Sequence, residues 1–140
     1  MNKQLLEAYQ QTTYRILDPE FNIRVGELHP SLDQYLEKSE HSTWAFITAW
    51  NPKSQELTIS ENRDRNRSLV AQLKSQEFSA YKALGVPDKG DWIPEDSIFI
   101  PGISRKQAIK LGEKFYQNAI VFGEIGKSAE LLVLSSGLEL

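Results

Sequence analysis

The chain contains no cysteine, one methionine and two histidines among its 140 residues. Without thiols it can form neither a disulfide nor a thiolate metal centre. The two histidines, His29 and His41, belong to no clustered ligand set, so no metal site is expected. Long apolar runs are missing as well. The wholly apolar stretches are no longer than Leu131–Leu134, far short of the roughly 18 residues that span a bilayer. The first residues, Met1 to Glu7, hold no apolar block of the kind a secretory signal needs. Nor is there an excess of positive charge. Nineteen acidic residues outnumber 16 basic ones, for a net charge of −3, which gives no general pull toward nucleic acid or an anionic membrane. Together these absences point to a cytoplasmic protein with no membrane segment.

What is present is ordinary globular material: 40% hydrophobic and 25% charged residues. The length suits one domain spanning 1–140, large enough to bury about two-thirds of its surface. No repeat or low-complexity stretch interrupts it.

The elements alternate in kind. Residues 2–12 read as a short helix with Leu5, Leu6 and Tyr9 on one side. Residues 13–17 and 21–25 alternate like strands around Asp18-Pro19-Glu20, which predicts a hairpin. A second short helix opens at Pro30. Residues 43–50 make the strongest strand, with Trp44, Phe46 and Trp50 on one face and Ala45, Ile47 and Ala49 on the other. Both faces are apolar, so this strand is expected to be central and covered on both sides. Pro52 ends it. Residues 61–77 form the longest helix, with Thr58 or Ser60 as its cap; Thr58 and Glu61 have the capping-box spacing. A strand near 78–84 and a loop over 85–91 follow. A strand over 97–100 leads to a helix from 104, where Ser104 and Gln107 form a second capping box. Strands at 119–122 and 131–134 close the chain. The expected fold is α+β, a mixed and mostly antiparallel sheet with helices packed on it; a three-layer α/β/α arrangement is the alternative.

Chemistry-bearing motifs are few. Gly126-Lys127-Ser128 lacks the upstream glycine of a phosphate loop, since that position is Val121, and reads as a turn. No Gly-x-Ser-x-Gly elbow is present. Arg105, Lys106, Lys110 and Lys114 read as a solvated helix face. Glu95-Asp96 reads as part of a solvated loop. The most informative pattern lies in the long helix. At 100° per residue, Asn62 and Asn66 share a stripe with Leu69 and Leu73 and so face inward. Buried amides must be hydrogen-bonded. Their partners are either neighbouring main chain or an anionic ligand at the helix N-terminus, with Arg63 and Arg67 on the flank. Trp50, Asn51, Trp92, Glu95 and Asn118 lie in loops or strand ends that could converge on the same place.

Phe46-Ile47-Thr48-Ala49-Trp50-Asn51-Pro52, Glu61-Asn62, Arg65-Asn66, Trp92-Ile93-Pro94-Glu95-Asp96-Ser97 and Gln117-Asn118-Ala119-Ile120 resemble a bacterial family known as domain of unknown function 3293. The similarity runs from the N-terminal helix to the last strand. It implies a small stand-alone bacterial cytoplasmic protein, and a signature that includes Asn51, Asn62, Asn66, Trp92, Glu95 and Asn118. It implies no activity and no cofactor.

The first functional expectation is a binding module for a small anionic or nucleotide-like ligand, with Trp50, Asn51, Asn62, Arg63, Asn66, Trp92, Glu95 and Asn118 as candidate site residues. The second is a protein-interaction or regulatory module with no ligand and no identified partner. The third is a hydrolase or transferase using Glu95 or Glu124 as base. The sequence leans away from an enzyme.

Overall fold

A computed structural model describes residues 3–88 and 93–134. The elements run α1 (Lys3–Gln10), β1 (Thr12–Ile16), β2 (Phe21–Ile23), α2 (Pro30–Lys38), β3 (Thr43–Ile47), a 3-10 turn at Pro52–Ser54, α3 (Ile59–Ser75), β4 (Tyr81–Pro87), β5 (Glu95–Pro101), α4 (Arg105–Lys114), β6 (Ala119–Glu124) and β7 (Glu130–Val133). All seven strands belong to one sheet in the order β2-β1-β4-β5-β3-β6-β7. Every ladder is antiparallel. The fold is α+β, with a sheet more uniformly antiparallel than the mixed one expected.

The sheet curls into a half-barrel. Its two edges approach each other through the loops beyond β2 and before β7. There the Gly26 N–H donates to the Ala129 carbonyl at 2.8 Å and the Ala129 N–H to the Glu27 carbonyl at 3.0 Å. Strand alternation then divides the core into two. Inside the curl lie Tyr14, Ile16, Ile23, Trp44, Phe46, Phe99 and Val121, with Leu32 and Leu36 of α2 filling one end. Outside, Ala45, Ile47, Ile98, Ile100, Ile120 and Phe122 carry Leu69 and Leu73 of α3 and Ala108 and Leu111 of α4. The period-2 pattern of β3 thus places apolar residues on both faces, as expected for a strand with two covered sides. Trp44 lies across Gly123 on the neighbouring strand; a Cβ there would sit 2.1 Å from the indole, so only glycine fits.

Local chemistry fixes the helices. Thr58 caps α3 in a capping box with Glu61, and Ser104 caps α4 in one with Gln107. Tyr14 carries its hydroxyl to the Tyr9 carbonyl at 2.8 Å, and Thr12 reaches the Ala8 carbonyl at 2.7 Å. These bonds hold α1 across the other end of the curl, although none of its described side chains is fully buried.

Three strand boundaries around the centre of the sheet differ from expectation. β3 stops at Ile47 rather than at residue 50, because side chains take over the pairing of the residues beyond it. β5 begins at Glu95 rather than Ser97, so Glu95 is a strand residue and not part of a solvated loop. The strand expected from residue 78 is β4, from 81 to 87; residues 89–91 of the expected loop lie outside the described residues.

Candidate functional site

The segment after β3 is held almost wholly by side chains. The Ala49 N–H donates to Asn66 Oδ1 at 2.9 Å, and the Ala49 carbonyl accepts from Arg65 Nε at 2.7 Å. The Trp50 N–H donates to Thr48 Oγ1 at 3.0 Å, and its carbonyl accepts from Gln117 Nε2 at 3.3 Å. The Asn51 N–H donates to Asn62 Oδ1 at 2.8 Å. Of these three residues' polar main-chain groups, only the Asn51 carbonyl has a main-chain partner among the described residues, the Ser54 N–H at 2.9 Å. A peptide leaving a sheet this close to the core must find such partners, since each orphaned group costs about 1–3 kcal/mol.

Asn66 has a further effect. Its Nδ2 donates to the Asp96 carbonyl at 2.9 Å, so its amide stands between Ala49 and Asp96, where the β3–β5 ladder would otherwise continue. The side chain replaces a peptide in the sheet and spreads the two strands. The expectation that Asn62 and Asn66 face inward holds: both are buried. Their partners, however, are main chain and Asn51 (Asn62 Nδ2 to Asn51 Oδ1, 2.8 Å), so the amides are engaged without a ligand.

The held segment is also strained. Asn51, Lys53 and Ser54 have φ of 45°, 54° and 59°, a left-handed region that costs side-chain-bearing residues roughly 1–2 kcal/mol each and asparagine less. Such strain collects at functional sites. Here it turns Trp50 and Asn51 toward the open end of the half-barrel.

That end encloses a cavity of about 470 Å³, within the roughly 300–1,000 Å³ typical of small-molecule sites. α1 supplies Tyr9 and Glu7; β1 supplies Tyr14; β3 and its extension supply Phe46, Thr48, Trp50 and Asn51; β5 supplies Glu95 and Ser97; β6 supplies Ala119 to Val121. Tyr14 and Phe46 meet edge to face with centroids 5.1 Å apart. Among the described residues, no Lys, Arg or His lines this space.

Glu95 is its most unusual group. Enclosure by the cavity walls pushes the carboxyl pKa up to about 7, partly opposed by a hydrogen bond from Asn51. The orientation of that amide follows from its other partners. Asn51 Oδ1 accepts from the Leu57 main-chain N–H at 3.0 Å and from Asn62 Nδ2. A main-chain N–H can only donate, so the oxygen faces Leu57 and the NH2 is left for Glu95. The Tyr9 hydroxyl is pushed up to about 12 by burial and by the negative charge of Glu95, with an opposing hydrogen bond from Asn118. Burial raises Tyr14 still further.

The structure therefore brings Trp50, Asn51 and Glu95 together at one cavity. Asn118 stands behind it, bonded to Tyr9 and, through Nδ2, to Ser54 Oγ at 2.8 Å. Asn62 and Asn66 brace the wall rather than line it. Arg63 lies elsewhere, in an outer groove with Arg67, Lys74 and Lys82, so it adds no charge to the cavity. Trp92 falls outside the described residues. Glu124 is paired with Lys127 at 2.6 Å at the far end of β6, where the neighbouring ammonium holds its pKa below the ordinary carboxylate value; it has no part in this site. The histidines are spent structurally or lie apart. His29 Nε2 accepts the Arg24 N–H at 3.1 Å, His41 packs under Gly102, and no group of three metal-ligating side chains occurs among the described residues.

Sequence reasoning passed over Tyr9, Tyr14 and Arg65 as site residues. Arg65 had a readable signal: three residues after Asn62, it lies 60° from the inward stripe, closer than Arg63 or Arg67. Its guanidinium spans the Ala49 and Phe115 carbonyls, the latter at 2.5 Å.

A family model described as Protein of unknown function (DUF3293) matches residues 47–120. The span runs from the last residue of β3 into β6 and contains the held segment, α3 and Glu95. No curated protein and no solved structure matches the chain.

Proposed function

This chain belongs to the DUF3293 family of proteins of unknown function, and we propose that it binds a small organic molecule in the cavity between α1 and the inner face of the half-barrel. One observation carries the reading. A strained peptide, held by five side-chain hydrogen bonds, delivers Trp50 and Asn51 to the same space as an enclosed carboxyl. Strain costs stability, and a plain turn between a strand and a helix needs neither such strain nor such bracing. Mouths of curled sheets are a common place for ligands.

The anionic ligand expected from the sequence does not suit this space. Its described lining holds two carboxylates, Glu7 and Glu95, and no cation. An anion would meet repulsion in a poorly screened setting. A ligand with an apolar or aromatic body fits Trp50, Phe46 and Tyr14 better, with polar groups turned toward Glu95, Tyr9 and Thr48.

A ligand-observed NMR screen of a metabolite and fragment library against the full chain tests the reading. Binders should lose at least tenfold in affinity with Trp50→Ala while that variant keeps its cooperative melt. Binders that ignore Trp50→Ala would place the site elsewhere, and a library without binders would remove it.

A carboxyl half-protonated near neutral pH also suits general acid–base work, which makes proton transfer to or from the bound molecule the second reading. Incubating each binder with wild type and with Glu95→Gln, and following the binder's own NMR signals, distinguishes the two. Conversion by wild type alone supports an enzyme with Glu95 as proton carrier; no conversion leaves a binding protein.

A further inference from the structure

We propose that the cavity selects a cationic nitrogen ligand, an aryl or alkyl amine or amidine whose charged head pairs with Glu95 and whose body lies along Trp50, Phe46 and Tyr14. The inference rests on the cavity being a ligand site and goes further by naming the chemistry that site accepts.

A carboxylate taken out of water is costly unless a cation or several donors face it. Among the described residues, Glu95 receives one donor, the Asn51 amide, whose oxygen is taken by Leu57 and Asn62. The titratable groups that face it add no relief. α1 brings Glu7 and Tyr9, and β1 brings Tyr14; Phe46 from β3, Thr48 and Trp50 from the segment after it, Gly85 and Pro87 from β4 and Ala119 to Val121 from β6 carry no charge. A phenol does not become a cation, and Glu7 has the same sign as Glu95. Among the described residues, the site therefore holds an anion without a counter-charge, amid aromatic rings whose faces attract cations. A cationic head supplies both missing interactions at once. It pairs with the carboxylate, and it lies against the negative faces of the rings. Anions lose on both counts, and neutral isosteres gain only a hydrogen bond.

The proposal ties binding to proton release. A cation binds the ionised carboxyl, so binding must displace the proton that enclosure holds there. Affinity should fall about tenfold for each pH unit below about 7 and stay level above it. A neutral ligand that accepts a hydrogen bond from the protonated acid would show the opposite slope.

Benzamidine, benzamide and benzoate share one ring and differ in head group, and they serve as probes for the full chain. Calorimetric titrations at several pH values between 5 and 8 should show benzamidine binding best, with the slope just described. Its affinity should fall at least tenfold with Glu95→Gln and lose its pH dependence, and it should fall with Trp50→Ala. Benzoate binding as tightly as benzamidine, a flat pH profile, or no binding of benzamidine at millimolar concentration would overturn cation selection. If the other two probes bind and remain sensitive to Trp50→Ala, the cavity stands as a ligand site and only its charge preference fails. If the library binders are insensitive to Trp50→Ala, the site itself fails.

Discussion

Glu95 shows how one residue can trade stability for a site. Its unfolded pKa is near 4.5 and its folded pKa about 7. The native state thus holds the proton more tightly than the unfolded chain, so this group favours the fold most below about pH 4.5. The advantage is lost as pH rises toward 7, because the native state must then hold a charge at a half-buried position. The loss amounts to about 2–3 kcal/mol, counting the cavity mouth as partly wet. Glu95→Gln keeps an acceptor for Asn51 and removes the charge. Urea unfolding at pH 8 should find this variant more stable than wild type by a similar amount, with the two converging near pH 4. Equal stability at both pH values would mean that the carboxyl is open to water. Sequence alone could not have shown this, since Glu95-Asp96 after Pro94 has the composition of a loop. Only the β4–β5 pairing, with Gly85 opposite Glu95, turns the side chain inward.

At the level of elements, α3 acts as a brace as well as a packing helix. Leu69 and Leu73 bury its C-terminal half, while Asn62, Arg65 and Asn66 grip the segment after β3. Asn62→Ala should cost about 1–3 kcal/mol in urea unfolding, the penalty for orphaning the Asn51 N–H. It should also weaken ligand binding, although Asn62 touches no ligand, because Asn51 then loses the hold that aims its NH2 at Glu95. Arg65→Lys should weaken the fold too, because a lysine cannot span two carbonyls as a guanidinium does. The inward amides were legible from helical periodicity. Their partners were not, because which main-chain groups need rescue depends on where β3 stops pairing, and that depends on Asn66 itself. α1 is the opposite kind of element, tied down by a few hydrogen bonds and with no described side chain fully buried. Tyr14→Phe removes one of these bonds. Hydrogen exchange should then quicken through α1, while the amides of β3 and β5 keep their protection; equal loss in both would show α1 to be part of the core.

Across the whole molecule, one curl organises both ends. α2 plugs one mouth of the half-barrel with Leu32 and Leu36, and α1 roofs the other over an open space. The order of helices and strands, both capping boxes and the two-sided character of β3 could be read from local pattern. The curl could not, because it depends on the meeting of Gly26 and Glu27 with Ala129 and on the close passage of Trp44 over Gly123, contacts between residues far apart in the chain. Without the curl there is no interior face, and without that face Tyr9, Tyr14, Trp50 and Glu95 share nothing. The enclosed carboxyl at the open mouth is thus the point at which fold and function meet. Its titration can be followed directly by carbon NMR of side-chain-labelled glutamate, with Glu95→Gln assigning the signal. The account requires a midpoint near 7 for the free protein; a midpoint near the ordinary 4.5 would contradict it.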